Sequence, residues 1–495
     1  MERLKNARYI LLVSAVCLLV RIPQLLSADF RLDSDECIVG LMAKHLIEGK
    51  EFPLFFYGQY YGFSLIEELF IIPFYWVMGI TAHAVKLGML ALWTIGVLFF
   101  YKALVKISGN KWSAFLTTLI FVVTPAWALW SFKARGGYLT SHFLTSVILC
   151  LLFDEVKNKK NITYVLIGFL LLLIFQSQPF WLAGVIPLLV YKLLVHKSFA
   201  KAGFVLLPIL ILSYPLYIYK QGLHQFYNAP IQELTTDLLI DNINRFPAFL
   251  YTSLHGAYHF AWAANPDFFS AVFAYIFMGM ILVAGLAGIL HLFEKNNRHK
   301  WLLVSSTLFL PLVLGYSLFS QEPSYRYMLP VTVFTLFSLY LFLYYYNIDI
   351  RLRVQNYVLT AALIGAIGTA TYYRSQLLRS HGKSMAEAIS YLEKEQVSFV
   401  FVDDYTFQWD ILFLTKEKIK TRFFFSPGRY PAYDSLVDRG LHEGKRVAVF
   451  GHAARIFGDS FGHFDFQNTD YYISLNPTKE TLSRNKFQFH DWKFK

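Results

Sequence analysis

Long apolar stretches recur along the chain and constrain its fold more than any other feature. A membrane-spanning helix needs about 20 mostly apolar residues. Hydrophobic residues make up 56% of the 495 residues and charged residues only 16%, whereas soluble domains carry about 25% charge. We therefore predict a multi-pass α-helical membrane protein with about eleven transmembrane helices. The stretches that qualify are 9–27, 84–104, 112–130, 138–153, 162–178, 179–195, 202–219, 269–290, 301–319, 328–346 and 355–373.

The distribution of Lys and Arg predicts how the chain is oriented. The N-terminus and every second loop carry two or three basic residues, seventeen in all, and the intervening loops hold eight over a greater total length. Cytoplasmic loops collect Lys and Arg, so we place the N-terminus in the cytoplasm and the C-terminus outside. Three exterior segments are large: 28–83, 221–268 and 374–495. In the first stretch, Arg21 and Pro23 favour a retained anchor over a cleaved signal peptide.

The segment 374–495 differs in composition, with frequent charges and short apolar strands between helices. We predict helices at 384–396, 405–415 and 432–442, and strands at 399–402, 422–425 and 447–450. This alternation is typical of a small parallel sheet with helices packed on it. The chain thus divides into a transmembrane domain, 1–373, and a small exterior α/β domain, 374–495. This domain either binds a ligand or simply caps the membrane part. We favour the cap, because a fold by itself does not indicate a function.

Net charge and cysteine content argue against several classes of function. A charge of +12 would suggest nucleic-acid binding in a soluble protein, but here the basic residues follow the membrane topology. The chain has three cysteines, which do not form an even set at the spacing of a disulfide framework. Neither a disulfide scaffold nor a Cys zinc site is therefore predicted. Five residues of the 221–268 segment indicate a metal site only weakly: Asp237, Asp241, His255, His259 and Asp267.

Three carboxylates lie within four residues after the first apolar stretch: Asp33, Asp35 and Glu36. Ser34 or Asp33 can cap the helix that follows, which we expect to lie along the membrane surface. Capping and dipole complementation contribute about 0.3–1 kcal/mol each, but a single cap explains only one carboxylate. The alternative is a general base, with or without a cation, placed where a lipid-linked reactant meets a water-side acceptor. Both explanations stay open on these residues alone.

Two further glutamates, Glu67 and Glu68, interrupt the apolar run that follows a segment rich in Gly and Tyr. We therefore predict a partly buried interfacial helix at 63–80 instead of a twelfth span. An acidic group at that depth is a functional candidate by default. A glutamate that simply faces outward at the interface is the alternative for each.

Basic residues on the exterior side are scarce, and two of them have the surroundings of an anion site. Arg135 precedes two glycines and Tyr138, which suits a phosphate because the guanidinium donates two bonds and glycine lets backbone amides approach. Headgroup snorkelling competes with this explanation and accounts for Lys133 at least as well. Arg326 at the start of the tenth stretch also favours a specific anion partner.

Several short motifs resemble one known family over roughly residues 1–375. That family comprises integral membrane glycosyltransferases of the GT-C fold that use polyprenyl-phosphate sugars. It includes protein O-mannosyltransferases, lipid A aminoarabinose transferases and enzymes that modify lipopolysaccharide cores. The motifs are Asp33-Ser-Asp35-Glu36, Gly40-Leu-Met-Ala, Glu48-Gly49, Tyr57-Gly58-Gln59, Tyr61-Gly62, Arg135-Gly-Gly-Tyr138 and Arg326-Tyr-Met-Leu-Pro330.

The resemblance implies an inverting glycosyl transfer in a bacterial cytoplasmic membrane, on its exterior face. It makes Asp35 the catalytic base, with Glu36 and Asp33 shaping the site. Four other residues become candidates for donor and phosphate binding: Arg135, Tyr138, Arg326 and Glu67. The expected partners are a polyprenyl-phosphate sugar and an envelope lipid, glycan or protein acceptor, and a divalent cation stays open as an aid. Cys37 stands where the family commonly has a small residue such as alanine, and no motif identifies the acceptor.

Two other classes of function compete with a transferase. Multi-span proteins with a few intramembrane charges are often transporters or flippases. Against that class, the charges concentrate on one face and no inverted repeat of broken helices is visible. A receptor or assembly subunit is the third class, and it predicts that function depends on 374–495 and not on Asp35.

Overall fold

A computed structural model describes most of the chain, and helices predominate in it. The described residues are 2–26, 32–156, 160–195, 199–224, 235–256, 268–295, 299–319, 324–348, 354–376, 381–452, 460–465 and 470–492. The helices that precede residue 377 share one apolar core, and a five-stranded sheet with its own helices follows.

The helices of the first part are numbered along the chain. They are α1 (Glu2–Leu19), α2 (Ile22–Leu25), α3 (Ser34–Ile47), α4 (Leu65–Met78), α5 (Ala82–Ser108), α6 (Lys111–Val122), α7 (Trp127–Trp130), α8 (Tyr138–Leu152), α9 (Asn161–Ser177), α10 (Leu182–Val195), α11 (Phe199–Gln221), α12 (Thr236–Leu254), α13 (Phe268–Phe293), α14 (Lys300–Thr307), α15 (Phe309–Phe319), α16 (Leu329–Tyr345) and α17 (Gln355–Gln376). Short 3₁₀ turns at Pro179–Trp181 and Tyr325–Met328 lead into α10 and α16.

The predicted apolar stretches all fall on helices, and the chain is a multi-pass membrane protein. Among the described residues, five helical segments are long and apolar enough to cross a membrane: Ala82–Ser108, Ala200–Gln221, Phe268–Phe293, Lys300–Phe319 and Tyr325–Tyr345. The count of eleven is not confirmed, because several stretches form apolar helices of only 10–17 residues. The stretch 112–130, for example, is divided between α6 and α7 at Pro125, which has no N–H to continue a helix.

The C-terminal part contains the predicted α/β arrangement. In chain order its elements are α18 (His381–Lys394), β1 (Phe399–Val402), α19 (Tyr405–Leu414), β2 (Lys420–Arg422), α20 (Pro431–His442), β3 (Val447–Gly451), β4 (Ser460–Asp465), β5 (Asp470–Leu475) and α21 (Lys479–Arg484). The strand order is β2-β1-β3-β5-β4. The division at residue 373 stays a prediction.

Two details of the predicted sheet are wrong. Strand β2 covers Lys420–Arg422 and stops before the three phenylalanines, because Phe424 leaves the sheet edge to pack on Phe487 at a ring distance of 4.2 Å. Only β1, β2 and β3 are parallel, since β5 pairs antiparallel with both β3 and β4. The antiparallel pair alternates polar and apolar residues too irregularly to stand out in the sequence.

Helix α3 is more enclosed than predicted. A helix at the membrane surface would leave one face open, yet every residue from Glu36 to His45 is buried. Helix α4 covers one side, where the Tyr75 hydroxyl donates to the Gly40 carbonyl over 2.9 Å. Helix α19 covers another, where Phe413 packs directly on Gly40. The carboxylates at the start of α3 therefore lie at the junction of the membrane bundle and the C-terminal part.

Candidate active site

A reciprocal cap fixes the backbone at the start of α3. Asp33 is the N-cap residue, and its Oδ1 accepts a hydrogen bond of 3.0 Å from the backbone N–H of Glu36. In return, Glu36 Oε2 accepts one of 3.0 Å from the backbone N–H of Asp33. This capping box satisfies two donors that the helix itself leaves unbonded. The helix start is thus as predicted, with Asp33 and not Ser34 as the cap.

Three cations surround the two capping carboxylates. Lys133 Nζ lies 2.6 Å from Asp33 Oδ2 and 3.2 Å from Glu36 Oε2. Lys86 Nζ lies 2.5 Å from Glu36 Oε1, and Arg135 Nη2 lies 2.8 Å from Asp33 Oδ2. Lys133 is buried, so headgroup snorkelling does not describe it. Buried charges need such partners because water no longer solvates them.

Asp35 stands apart from its two neighbours. Its side chain is 24% exposed, and its Oδ2 lies 3.4 Å from Arg135 Nη2, too long and poorly aligned for a hydrogen bond. No residue that the structure describes donates a hydrogen bond to this carboxylate. Asp33 is exposed to the same extent, 25%, but both of its oxygens already accept hydrogen bonds. Asp35 is therefore the carboxylate of the three that keeps free acceptor capacity.

Glu67 holds the loop that carries Arg135. Both of its carboxylate oxygens face backbone N–H groups, that of Gly136 at 3.2 Å and that of Gly137 at 2.8 Å. Gly137 has φ of +102°, and a Cβ there would lie 2.7 Å from Ser177 Cβ, so the position requires glycine. Burial raises the pKa of the Glu67 carboxyl to about 8, although the two N–H groups favour the anion. The outward-facing alternative for Glu67 is excluded, since the residue is fully buried.

Arg326 lies on the other side of the same loop. Its guanidinium sits 5.3 Å from the ring centre of Tyr138 and 5.7 Å from that of Tyr327. Within the described part of the chain, Arg326 forms neither a hydrogen bond nor an ion pair with an acidic residue. Tyr61, which is 57% exposed, lies within the electrostatic reach of both Arg326 and Asp35. Burial raises the Tyr61 pKa, and the charges of Arg326 and Asp35 both act on it.

The structure thus brings all the predicted site residues to one place, around the loop 133–138. Direct contacts within this loop and its neighbours connect Asp33, Asp35, Glu36, Glu67, Arg135, Tyr138 and Arg326. The roles assigned to these residues remain predictions.

Some residues near the site were not predicted from the sequence. Lys86 was counted as part of an apolar stretch, although a lone lysine inside such a stretch is itself a signal of function. In the C-terminal part, Tyr405 senses the charges of Asp35 and Asp33, and Arg429 donates to the Tyr57 carbonyl; their sequence surroundings carry no signal. These three residues come from helices and loops far from α3 in sequence.

The residues present do not fit a bound divalent cation. Among the described residues, no group of three or more His, Cys, Asp or Glu side chains could hold a metal ion. At the start of α3, Lys86, Lys133 and Arg135 already occupy the positions facing Asp33 and Glu36. The weak metal prediction for 221–268 includes His259 and Asp267, which lie outside the described residues.

Together, the helical membrane bundle and the packed α/β part form a GT-C-like fold. Two solved structures share the fold, both of ArnT from Cupriavidus metallidurans. The apo structure matches with a TM-score of 0.59 and the structure bound to undecaprenyl phosphate with 0.57. Each is 11% identical in sequence, over 95% of this chain and 98% of the other. No family model matches the sequence, and a search of curated proteins finds no match.

Proposed function

We propose that the chain is an inverting glycosyltransferase that moves a hexosyl or pentosyl group from a polyprenyl-phosphate donor to an envelope acceptor. The acceptor is a lipid, glycan or protein hydroxyl. The enzyme lies in a bacterial cytoplasmic membrane, with its N-terminus inside and both the site and the C-terminal domain on the exterior face. The GT-C fold supports this class of reaction, and the undecaprenyl phosphate bound in one ArnT structure supports a lipid-linked donor.

The proposed chemistry assigns one task to each group. Asp35 takes the proton of the acceptor hydroxyl while that oxygen attacks the anomeric carbon of the sugar from the face opposite the phosphate. The bond from the anomeric carbon to the phosphate oxygen breaks, and polyprenyl phosphate leaves with the electron pair. Arg326 and Arg135, with Tyr138 beside them, stabilise the negative charge that develops on the leaving phosphate.

The remaining predicted residues have a positioning role. Asp33 and Glu36 hold Lys133 and Arg135 in place through the ion pairs described above. Glu67 fixes the backbone of the loop that carries Arg135, and so it acts on the phosphate indirectly.

One observation carries the proposal: of the three clustered carboxylates, Asp35 alone accepts no hydrogen bond from the described residues, and Arg135 Nη2 lies 3.4 Å from it. A general base needs free acceptor capacity toward the substrate, which Asp33 and Glu36 lack because caps and cations already use their oxygens. Arg326, which forms no ion pair within the described part of the chain, lies over Tyr138 and supplies what an anionic leaving group needs.

The test compares Asp35→Asn with the wild type in detergent, using a panel of polyprenyl-phosphate sugars and an extract of envelope acceptors. We expect the wild type to release polyprenyl phosphate and Asp35→Asn to lose about 10²- to 10⁴-fold in rate, the range for general base catalysis. Asp241→Asn is the matched control, because Asp241 is an exposed aspartate paired only locally with Arg245. Donor binding is expected to survive in both variants. Full activity in Asp35→Asn removes this residue from the role of base.

The transporter class makes the opposite prediction. Uptake of solute into vesicles that is unaffected by Asp35→Asn, together with no release of polyprenyl phosphate by the wild type, would favour it. A divalent cation as an aid to catalysis is tested by excess chelator. Lys86, Lys133 and Arg135 already form ion pairs with Asp33 and Glu36. We therefore expect excess chelator to leave turnover unchanged.

A further inference from the structure

Helix α19 of the C-terminal part lies alongside α3 and runs in the same direction. Contacts between the two segments keep a constant offset of 373 residues: Cys37 Sγ faces Asp410 Oδ1 over 3.5 Å, and Lys44 pairs with Glu417. Between these contacts, a Cβ on Gly40 would lie 2.6 Å from the ring of Phe413, so the helices touch at a glycine. Two parallel helices with this register place their N-terminal ends side by side. The start of α19 therefore lies beside the start of α3.

A buried polar network fixes this arrangement at the far end of α3. Glu417 accepts from the Tyr433 hydroxyl over 3.0 Å and faces His45 Nε2 at 3.2 Å. His45 Nδ1 lies 2.7 Å from the Tyr57 hydroxyl, which belongs to the loop after α3. Although burial works against the anion, the hydrogen bond from His45 and the ammonium of Lys44 hold the pKa of Glu417 well below its usual range. An ionised, buried network of this kind holds the C-terminal part in one position.

Two side chains of the C-terminal part, Tyr405 and Arg429, lie near each other and near the segment that leads from α3 to α4. Tyr405 is the first residue of α19 and is 43% exposed. Burial raises its pKa, and the negative charge of Asp35 raises it further, so the phenol keeps its proton and can donate. Arg429 Nη1 donates to the Tyr57 carbonyl over 3.5 Å, and its charge acts on both Tyr405 and Tyr61.

These two residues belong to the C-terminal part and not to the membrane bundle. The phosphate candidates Arg135, Tyr138 and Arg326 come from the bundle, where a lipid-linked donor would enter. Tyr405 and Arg429 come from the C-terminal part, where an acceptor would arrive from water. Asp35 lies 3.4 Å from Arg135 of the first group, and its charge acts on Tyr405 of the second.

We propose that the C-terminal domain completes the active site, with Tyr405 and Arg429 as positioning residues that orient the acceptor hydroxyl toward Asp35. This inference rests on the proposed glycosyltransferase function, which it extends from the donor to the acceptor. It also replaces the expectation that the domain merely caps the membrane part.

The first test separates acceptor from donor. Tyr405→Phe and Arg429→Gln are measured for release of polyprenyl phosphate at increasing amounts of envelope glycolipid extract, and for affinity toward undecaprenyl phosphate. We expect the half-saturating amount of extract to rise about 3- to 10-fold for Tyr405→Phe and about 10- to 100-fold for Arg429→Gln, as for neutral and charged hydrogen bonds. Undecaprenyl phosphate affinity should stay within about twofold in both variants, since the bundle residues that would hold phosphate are unchanged.

Matched controls come from the same domain, away from the site. Tyr391→Phe replaces a tyrosine that packs on Phe464, and Arg446→Gln removes a surface pair with Glu395. Both should leave the dependence on extract unchanged. If Tyr405→Phe and Arg429→Gln behave like these controls in an active enzyme, the inference is wrong and the proposed function stands. A wild type that releases no polyprenyl phosphate from any donor refutes the proposed function instead.

A cross-link tests the docked arrangement independently of which residues bind the acceptor. Asp410→Cys places a second thiol opposite Cys37, within reach of a disulfide after a small side-chain shift. We expect the oxidised, locked protein to keep the acceptor-dependent activity of its reduced form, because the docked arrangement is the active one. Loss of activity on oxidation, with recovery on reduction, would overturn the inference, since the active state would then need the domain to move away.

Discussion

The buried ion cluster at the start of α3 gives a prediction whose size follows from its contacts. Glu36 is fully buried, with Lys86 2.5 Å and Lys133 3.2 Å from its carboxylate. Glu36→Gln keeps an oxygen to accept the Asp33 N–H and removes the charge. Loss of one partner of a buried ion pair costs about 3–5 kcal/mol, because the other charge stays buried and unpaired. Asp33 still compensates Lys133 at 2.6 Å, so we expect the lower end, about 3 kcal/mol.

The assay is thermal unfolding of the purified protein in detergent, for Glu36→Gln, Lys86→Met and the double variant. At about 1 °C per kcal/mol for a chain of this size, Glu36→Gln should lower the apparent melting temperature by about 3 °C. The double variant removes both members of the pair and leaves no ammonium without its partner. It should therefore be about 2 kcal/mol more stable than the sum of the single variants predicts. Glu443→Gln, at an exposed surface pair, is the control and should change the melting temperature little.

Strict additivity of the two single variants would refute the reasoning. Additivity would mean that Glu36 and Lys86 do not sense each other, and hence that water reaches both groups in the folded protein. A Glu36→Gln protein as stable as the wild type would lead to the same conclusion.

Two further predictions concern the loop support and the domain interface. Glu67→Gln replaces one of the two oxygens that accept from Gly136 and Gly137 with an NH₂ donor, so the loop that carries Arg135 should loosen. We expect the affinity for undecaprenyl phosphate, measured by titration, to fall about 3- to 10-fold. Glu417→Gln should cost about 2–3 kcal/mol at pH 7. Because the folded pKa of Glu417 lies below its ordinary 4.5, that contribution is present above pH 4.5 and is lost as pH falls further. Unfolding measured from pH 7 to 3 should therefore show the difference between wild type and variant shrinking, and a constant difference would contradict it.

Local features of the fold could be predicted from the sequence because their bonds are local. Asp33 and Glu36 are three residues apart, and a capping box needs nothing beyond that spacing. Strands β1 and β3 are continuous apolar runs flanked by helices, which suffices to predict buried parallel strands. The fold class followed from hydropathy in the same way, although the number of spans did not.

Contacts between distant segments could not be predicted in this way. Lys86 lies 50 residues from Glu36, and its partner becomes visible only once the fold brings the two side chains together. The position of Tyr405 depends on a register that joins segments 373 residues apart. Hydropathy describes which residues avoid water, but it does not state which helix covers which. The predicted candidates were therefore the residues next to a motif, and the missed residues were those brought in by packing.

The enclosure of α3 explains why the three carboxylates have different surroundings. On an open membrane surface, water would solvate Asp33, Asp35 and Glu36 alike, and none would need a protein cation. Packing of α4 and α19 on the helix removes that water from Glu36 completely, so lysines must supply the missing solvation. Asp35 occurs one residue earlier, and its side chain stays 24% exposed. The same packing that makes Glu36 a structural anion thus leaves Asp35 as the carboxylate with capacity to accept a proton.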